Sequence, residues 1–243
     1  MIHPCSLAER QTLKPYISKK YKKTPTPVDE AFHKSFTSHY RAVCEFSAFT
    51  GGNGFPIFWV GDNATNFSSN TPVDIAITSP PYINALDYVR CVKIESAWVD
   101  CGCDETFKKI RELQVGDNSN KHTTISPIVI GLLAEYTDRI ACLDNPRSRT
   151  VLEYFEDMYR NLRCVYFSLR NQGEYHIIIG NNTMRGVYIP TDELIARLAE
   201  NVGFVLTNFY YYEIRDHRTS IPRKGNGGKI NVEYVLSLKK SGN

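Results

Sequence analysis

The chain has 243 residues, 42% of them hydrophobic and 12% aromatic, with a net charge of only +3. That is enough for one substantial core and too little charge for a polycation, so any nucleic-acid surface must be a local patch. No apolar run is long enough to cross a bilayer and the N-terminus is polar, which predicts a cytoplasmic protein with neither a membrane span nor a signal peptide.

Seven cysteines, an odd number without a regular framework, suit a reducing compartment. Cys91, Cys101 and Cys103 have no second Cys/His pair at ligand spacing, so thiols rather than a metal are expected there. The chain opens with a basic cluster, Lys19-Lys20-Tyr21-Lys22-Lys23, and an extended Thr24-Pro25-Thr26-Pro27 linker. This arm is either solvated or a phosphate-contacting tail. Phe32, Phe36, Tyr40 and Val43 then recur at helical spacing and predict an amphipathic helix over 28–44. Gly51-Gly52-Asn53-Gly54 breaks it, and a short strand from Phe55 to Val60 ends in Gly61-Asp62-Asn63.

Asp74-Ile75-Ala76-Ile77-Thr78 follows as a buried parallel strand that runs into the rigid loop Ser79-Pro80-Pro81-Tyr82. Tyr88, Val92, Ile94 and Trp98 suggest a helix leaving that loop, and residues 100–126 form a polar, turn-rich insertion, either a lid or a surface loop. Ser126-Pro127 is a helix start. The clearest helix spans 149–170, with Val151, Phe155, Met158, Leu162, Val165 and Leu169 as its core stripe. Gln172-Gly173 stops it before a strand, Tyr175 to Ile179, that ends in Gly180-Asn181-Asn182; these asparagines either shape a pocket or make a turn. Thr191-Asp192-Glu193 caps a helix through Leu194, Leu198 and Ala199 that ends near Gly203. Two strands, Phe204 to Ile214 and Ile230 to Leu238, close the chain as a hairpin. Their joining loop carries Arg215, His217, Arg218, Arg223, Lys224 and Lys229 among glycines, which makes Arg215, Arg218, Arg223 and Lys224 the candidate phosphate contacts.

Thr78-Ser79-Pro80-Pro81-Tyr82, with Ile83-Asn84-Ala85-Leu86-Asp87-Tyr88-Val89-Arg90 after it, resembles the catalytic motif of S-adenosylmethionine-dependent DNA amino-methyltransferases. The Ser-Pro-Pro-Tyr form is the one that family mostly uses for cytosine N4; Asp- or Asn-Pro-Pro-Tyr is its usual adenine N6 form. The chemistry agrees. An exocyclic amine is a poor nucleophile because its lone pair is delocalised into the ring. Acceptors for both of its hydrogens, the Ser79 hydroxyl and the Pro80 carbonyl, favour the pyramidal nitrogen that attacks a sulfonium methyl. Tyr82 would stack on a base swung out of the duplex.

The resemblance implies an α/β fold: a partial class I methyltransferase, Rossmann-like sheet with an antiparallel C-terminal hairpin. It implies a basic arm and helix over 1–46, a catalytic domain over 47–243, and S-adenosyl-L-methionine as cofactor. Asp62, with Asn63 beside it, takes the place of the carboxylate that contacts the cofactor's adenine amine, and no metal is needed. The expected activity is DNA methylation of the restriction-modification kind, on cytosine N4; the alternatives are adenine N6 and an inactive DNA-binding remnant or subunit. One expected part is missing. No strand runs into a Phe-x-Gly-x-Gly loop, since Phe49-Thr50-Gly51-Gly52-Asn53-Gly54 has the wrong spacing, and the chain ends soon after the last strand. In the family's sheet the first strand lies beside the Ser-Pro-Pro-Tyr strand. The expectation is therefore a second polypeptide that carries the glycine-rich motif and completes the sheet.

Overall fold

The structure, a computed structural model, describes residues 2–6, 17, 22–51, 64–68, 71–83, 88–92, 95–96, 107–110, 114–115, 124–215 and 230–242. The expected strand over 55–60 and most of the 100–126 insertion lie outside them. The elements are α1 (Ile2–Cys5), α2 (Val28–Thr50), β1 (Val73–Thr78), α3 (Tyr88–Cys91), α4 (Pro127–Ala141), α5 (Asn145–Ser168), β2 (Leu169–Gly180), β3 (Asn182–Met184), β4 (Val187–Ile189), α6 (Thr191–Val202), β5 (Phe204–Glu213) and β6 (Val232–Lys240). They fall into two compact units, one of Met1–Val60, Tyr88–Cys103 and Arg218–Ser220, the other of Gly61–Asp87, Asp104–His217 and Ile221–Asn243.

The first unit holds α2, which runs six residues past the expected end. Asp29 and Glu30 sit in its first turn, where carboxylates complement the helix dipole, and Gly51 ends it at φ 63°. The expected stripe forms, with Phe32, Phe36 and Tyr40 stacked at ring separations of 6.0 Å, but all three are exposed.

The second unit is a four-stranded mixed sheet in the order β1-β2-β6-β5. β1 and β2 are parallel, while β6 is antiparallel to both β2 and β5, so the expected C-terminal hairpin is present. One face of the sheet carries Tyr175, Ile177 and Ile179 of β2, Leu236 and Leu238 of β6 and Phe204 of β5, all buried. Against them pack Val151, Phe155, Met158, Leu162 and Val165 of α5, the predicted stripe, and Leu194, Leu198 and Ala199 of α6. Repeats of three and four put those residues on one side of α5, which is why the pattern identified the helix.

Three local devices differ from expectation. α5 passes straight into β2 at Leu169, and Gln172-Gly173 forms an irregularity inside the strand instead of a stop. Gln172 takes a positive φ of 64°, and a Cβ on Gly173 would stand 2.9 Å from the Arg170 carbonyl oxygen. The end of α5 is held by Lys240, whose Nζ donates to the Tyr166 and Leu169 carbonyls at 2.7 Å each. α6 begins at Thr191 itself, without a side-chain cap from its own segment. Asn181 serves from a distance, its Oδ1 accepting the Asp192 N–H at 3.1 Å.

β1 is the main correction. It was expected to be buried; it is an edge strand, with Ile75 56% and Ile77 70% exposed. Among the described residues no strand pairs with its outer edge and no helix covers those two side chains. The neighbouring open-face side chains are polar as well as apolar: His176 bonds Ser237 Oγ at 3.0 Å and meets Glu174 at 3.2 Å.

The start of α4 is fixed by a buried carboxylate. Glu156 accepts from the Ser126 N–H at 2.9 Å and the Ser126 hydroxyl at 3.1 Å, and from Arg160 Nε at 2.8 Å. Burial pushes the Glu156 carboxyl up, but the Ser126 N–H, the Arg160 guanidinium and the Ser126 hydroxyl together outweigh it and hold it below its ordinary value. A folded pKa below the unfolded one means stability that is present above the unfolded value, about 4.3, and lost as pH falls through the folded one. Glu156→Gln is therefore expected to cost about 1.5–3 kcal/mol at pH 7. In urea unfolding followed from pH 7 to pH 3, its deficit against the wild type should shrink below about pH 4. A deficit constant across that range would refute the assignment.

Candidate active site

The site is built at the carboxyl ends of β1 and β2, where parallel strands present their loops. β1 delivers Ser79 exposed, Pro80 buried, and Pro81 and Tyr82 half-buried, and Ile83 then dives into the core at 2% exposure. Two prolines in series fix φ and offer carbonyls without competing N–H groups.

Three neighbours hold the loop. Asn182, the first residue of β3, is buried and donates Nδ2–H to the Ile83 carbonyl at 2.7 Å. Gly180, the last of β2, lies beside the tyrosine, since a Cβ there would stand 3.5 Å from Tyr82 Cζ and 2.5 Å from Ile230 Cγ2. Glu233, near the start of β6, accepts the Tyr82 hydroxyl on Oε1 and the Tyr212 hydroxyl on Oε2. The Glu233 carboxylate beside it pushes the Tyr212 hydroxyl up to about 12.

The structure thus brings Ser79, Pro80, Pro81 and Tyr82 together with residues that pattern reading left unassigned. Glu233 and Tyr212 lie in strands whose pattern is set by apolar residues, and a lone carboxylate between valines and tyrosines is the one local signal of the pair. Asn182 binds the loop backbone, and Asn181 spans Tyr188 and the start of α6, donating to the Tyr188 hydroxyl at 2.8 Å. Both side chains are thereby engaged in shaping the fold around the site. Arg215 is exposed just past β5. Asp62, Asn63, Arg218, Arg223 and Lys224 lie outside the described residues. Among the described residues no His, Cys, Asp and Glu cluster that could hold a metal ion is formed, and no helix is long and apolar enough to cross a membrane.

No protein-family model matches the chain. Curated proteins similar to it include the Type II methyltransferase M.MvaI of Kocuria varians, 21% identical over 154 residues that cover 60% of this chain and 34% of that protein. The Type II methyltransferase M.BsoBI of Geobacillus stearothermophilus is 25% identical over 213 residues, 74% of this chain and 39% of its own. Among solved structures, a provisionally assigned DNA modification methylase from Thermus thermophilus aligns over 76% of this chain and 53% of its own, at 17% identity and a TM-score of 0.36. Its S-adenosyl-L-methionine complex aligns over 37% and 38%, at 21% identity and a TM-score of 0.29. The chain spans less than two-fifths of the length of the two curated relatives, and it is distantly related to Type II methyltransferases over that part.

Proposed function

We propose that this chain is the base-binding, catalytic part of an S-adenosyl-L-methionine-dependent DNA methyltransferase that acts on an exocyclic amino group, cytosine N4. The observation that carries the reading is the Ser79-Pro80-Pro81-Tyr82 loop at the carboxyl end of a parallel strand, with Tyr82 beside Gly180 and tied to Glu233 by its hydroxyl. In this reading the base leaves the duplex and stacks on Tyr82. Ser79 Oγ and the Pro80 carbonyl accept the two amine hydrogens, localising the nitrogen lone pair for attack. Pro81 keeps the loop rigid. Arg215, with Arg218, Arg223 and Lys224 of the same loop, contacts DNA phosphates.

S-adenosyl-L-methionine supplies the electrophilic methyl group when bound. Asp62 and Asn63 are assigned its adenine. The described residues do not provide a seat for its methionine portion, because no glycine loop of the Phe-x-Gly-x-Gly kind stands at the end of a described strand. That half is assigned to a second polypeptide carrying the loop and adding strands along the outer edge of β1, which is where a class I sheet has its first strand.

Expression in a methylation-free host, alone and together with the reading frames flanking its gene, tests the proposal by mass spectrometry of the DNA nucleosides. N4-methylcytosine in the combined arm supports it. Only N6-methyladenine would refute the cytosine assignment, and no methylated base in either arm would refute the activity in favour of a DNA-binding subunit. Micromolar S-adenosylmethionine binding by the isolated chain, read by calorimetry, would overturn the split.

A further inference from the structure

Glu233 has no place in the chemistry above, yet it holds the aromatic residue on which that chemistry depends. It lies opposite Gly180 of β2 and opposite Tyr212 of β5, so the sheet register brings it to the tyrosine of a loop 151 residues away. Each carboxylate oxygen receives a separate phenol, Tyr82 on one and Tyr212 on the other. A carboxylate gripped at both oxygens cannot turn, and it passes that rigidity to Tyr82, which is half-buried and packs against the core on its buried side. A negative charge is also a poor choice beside a polyanion. Its use here is to accept two hydroxyl protons in strong charge-assisted bonds.

We propose that Glu233 is the positioning residue of Tyr82: with Tyr212 as its second donor, it fixes the direction in which the Tyr82 side chain holds out the ring on which the target base stacks. The inference rests on the function proposed above and assigns to this carboxylate the preorganisation of that site. Loss of the clamp frees the rotamers of the Tyr82 side chain, and the base must then order it during each turnover.

Two measurements decide it. In the full chain labelled with carbon-13 at tyrosine Cζ, the Tyr82 and Tyr212 signals are identified from Tyr82→Phe and Tyr212→Phe. Glu233→Gln is expected to move both of those signals, and unmoved signals overturn the clamp. In the preparation that methylates duplex DNA, Glu233→Ala is expected to lower kcat about tenfold with little change in KM for DNA. Glu233→Gln, which keeps one acceptor oxygen, should recover part of that loss. A rise in KM with kcat intact, or no kinetic change, overturns the positioning role. If Glu233→Ala fails to fold, Tyr212→Phe removes one arm of the clamp and is judged by the same kinetic split. If the wild type transfers no methyl group in any preparation, the proposed function falls and the positioning role with it, while the carbon-13 signals still report whether the clamp exists.

Discussion

Tyr82→Ala is expected to reduce kcat/KM for methyl transfer to duplex DNA by about 10²-fold, because stacking a base on an aromatic ring is worth about 1–3 kcal/mol and that contact forms only after the base has left the duplex. Tyr82→Phe separates the two jobs of the residue. It keeps the ring beside Gly180 and loses the hydroxyl bond to Glu233, so its deficit should match that of Glu233→Ala. Methylation by a reconstituted preparation that survived Tyr82→Ala unchanged would place the activity in another chain.

The second large effect concerns stability. Phe155 is fully buried on α5 and meets Tyr154 edge-to-face at a ring separation of 5.3 Å. Phe155→Ala removes the ring and leaves a cavity between α5 and the sheet, at a cost of about 3–5 kcal/mol. For a domain whose total stability is about 5–15 kcal/mol, that is a large fraction. The urea midpoint should fall accordingly with the slope of the transition unchanged. A loss under about 1 kcal/mol would mean that the site collapses onto its neighbours and that the helix is less tightly packed than the structure implies.

What the sequence made legible follows the reach of its signals. The stripe from Val151 to Val165 identifies α5 because periodicity and burial agree at each of its positions, while Leu169, the next in the pattern, already belongs to β2. The strand before Ser79 was equally clear as a strand, and only its burial was misjudged. An apolar run looks the same whether or not another element covers it, so Ile75 and Ile77 read as core although they are 56% and 70% exposed. Gln172-Gly173 looked like a stop because glycine beside a polar residue usually ends an element; the carbonyl of Arg170 so close to the bare Cα shows why a glycine is needed inside the strand instead. The clamp was illegible for a different reason. Tyr82, Tyr212 and Glu233 are joined by register across three strands, and no local pattern encodes which residues stand opposite one another.

The outer edge of β1 reaches beyond catalysis to supply. Among the described residues no strand pairs with that edge, and an apolar edge left so is a template for whichever extended segment arrives first, the same strand of another copy included. On the split-enzyme proposal, the useful amount of this chain in a cell is set less by how fast it is made than by how promptly that edge is met. Surplus copies would then be a burden on chaperones and proteases, which on that proposal ties the economy of the protein to balanced synthesis with its partner.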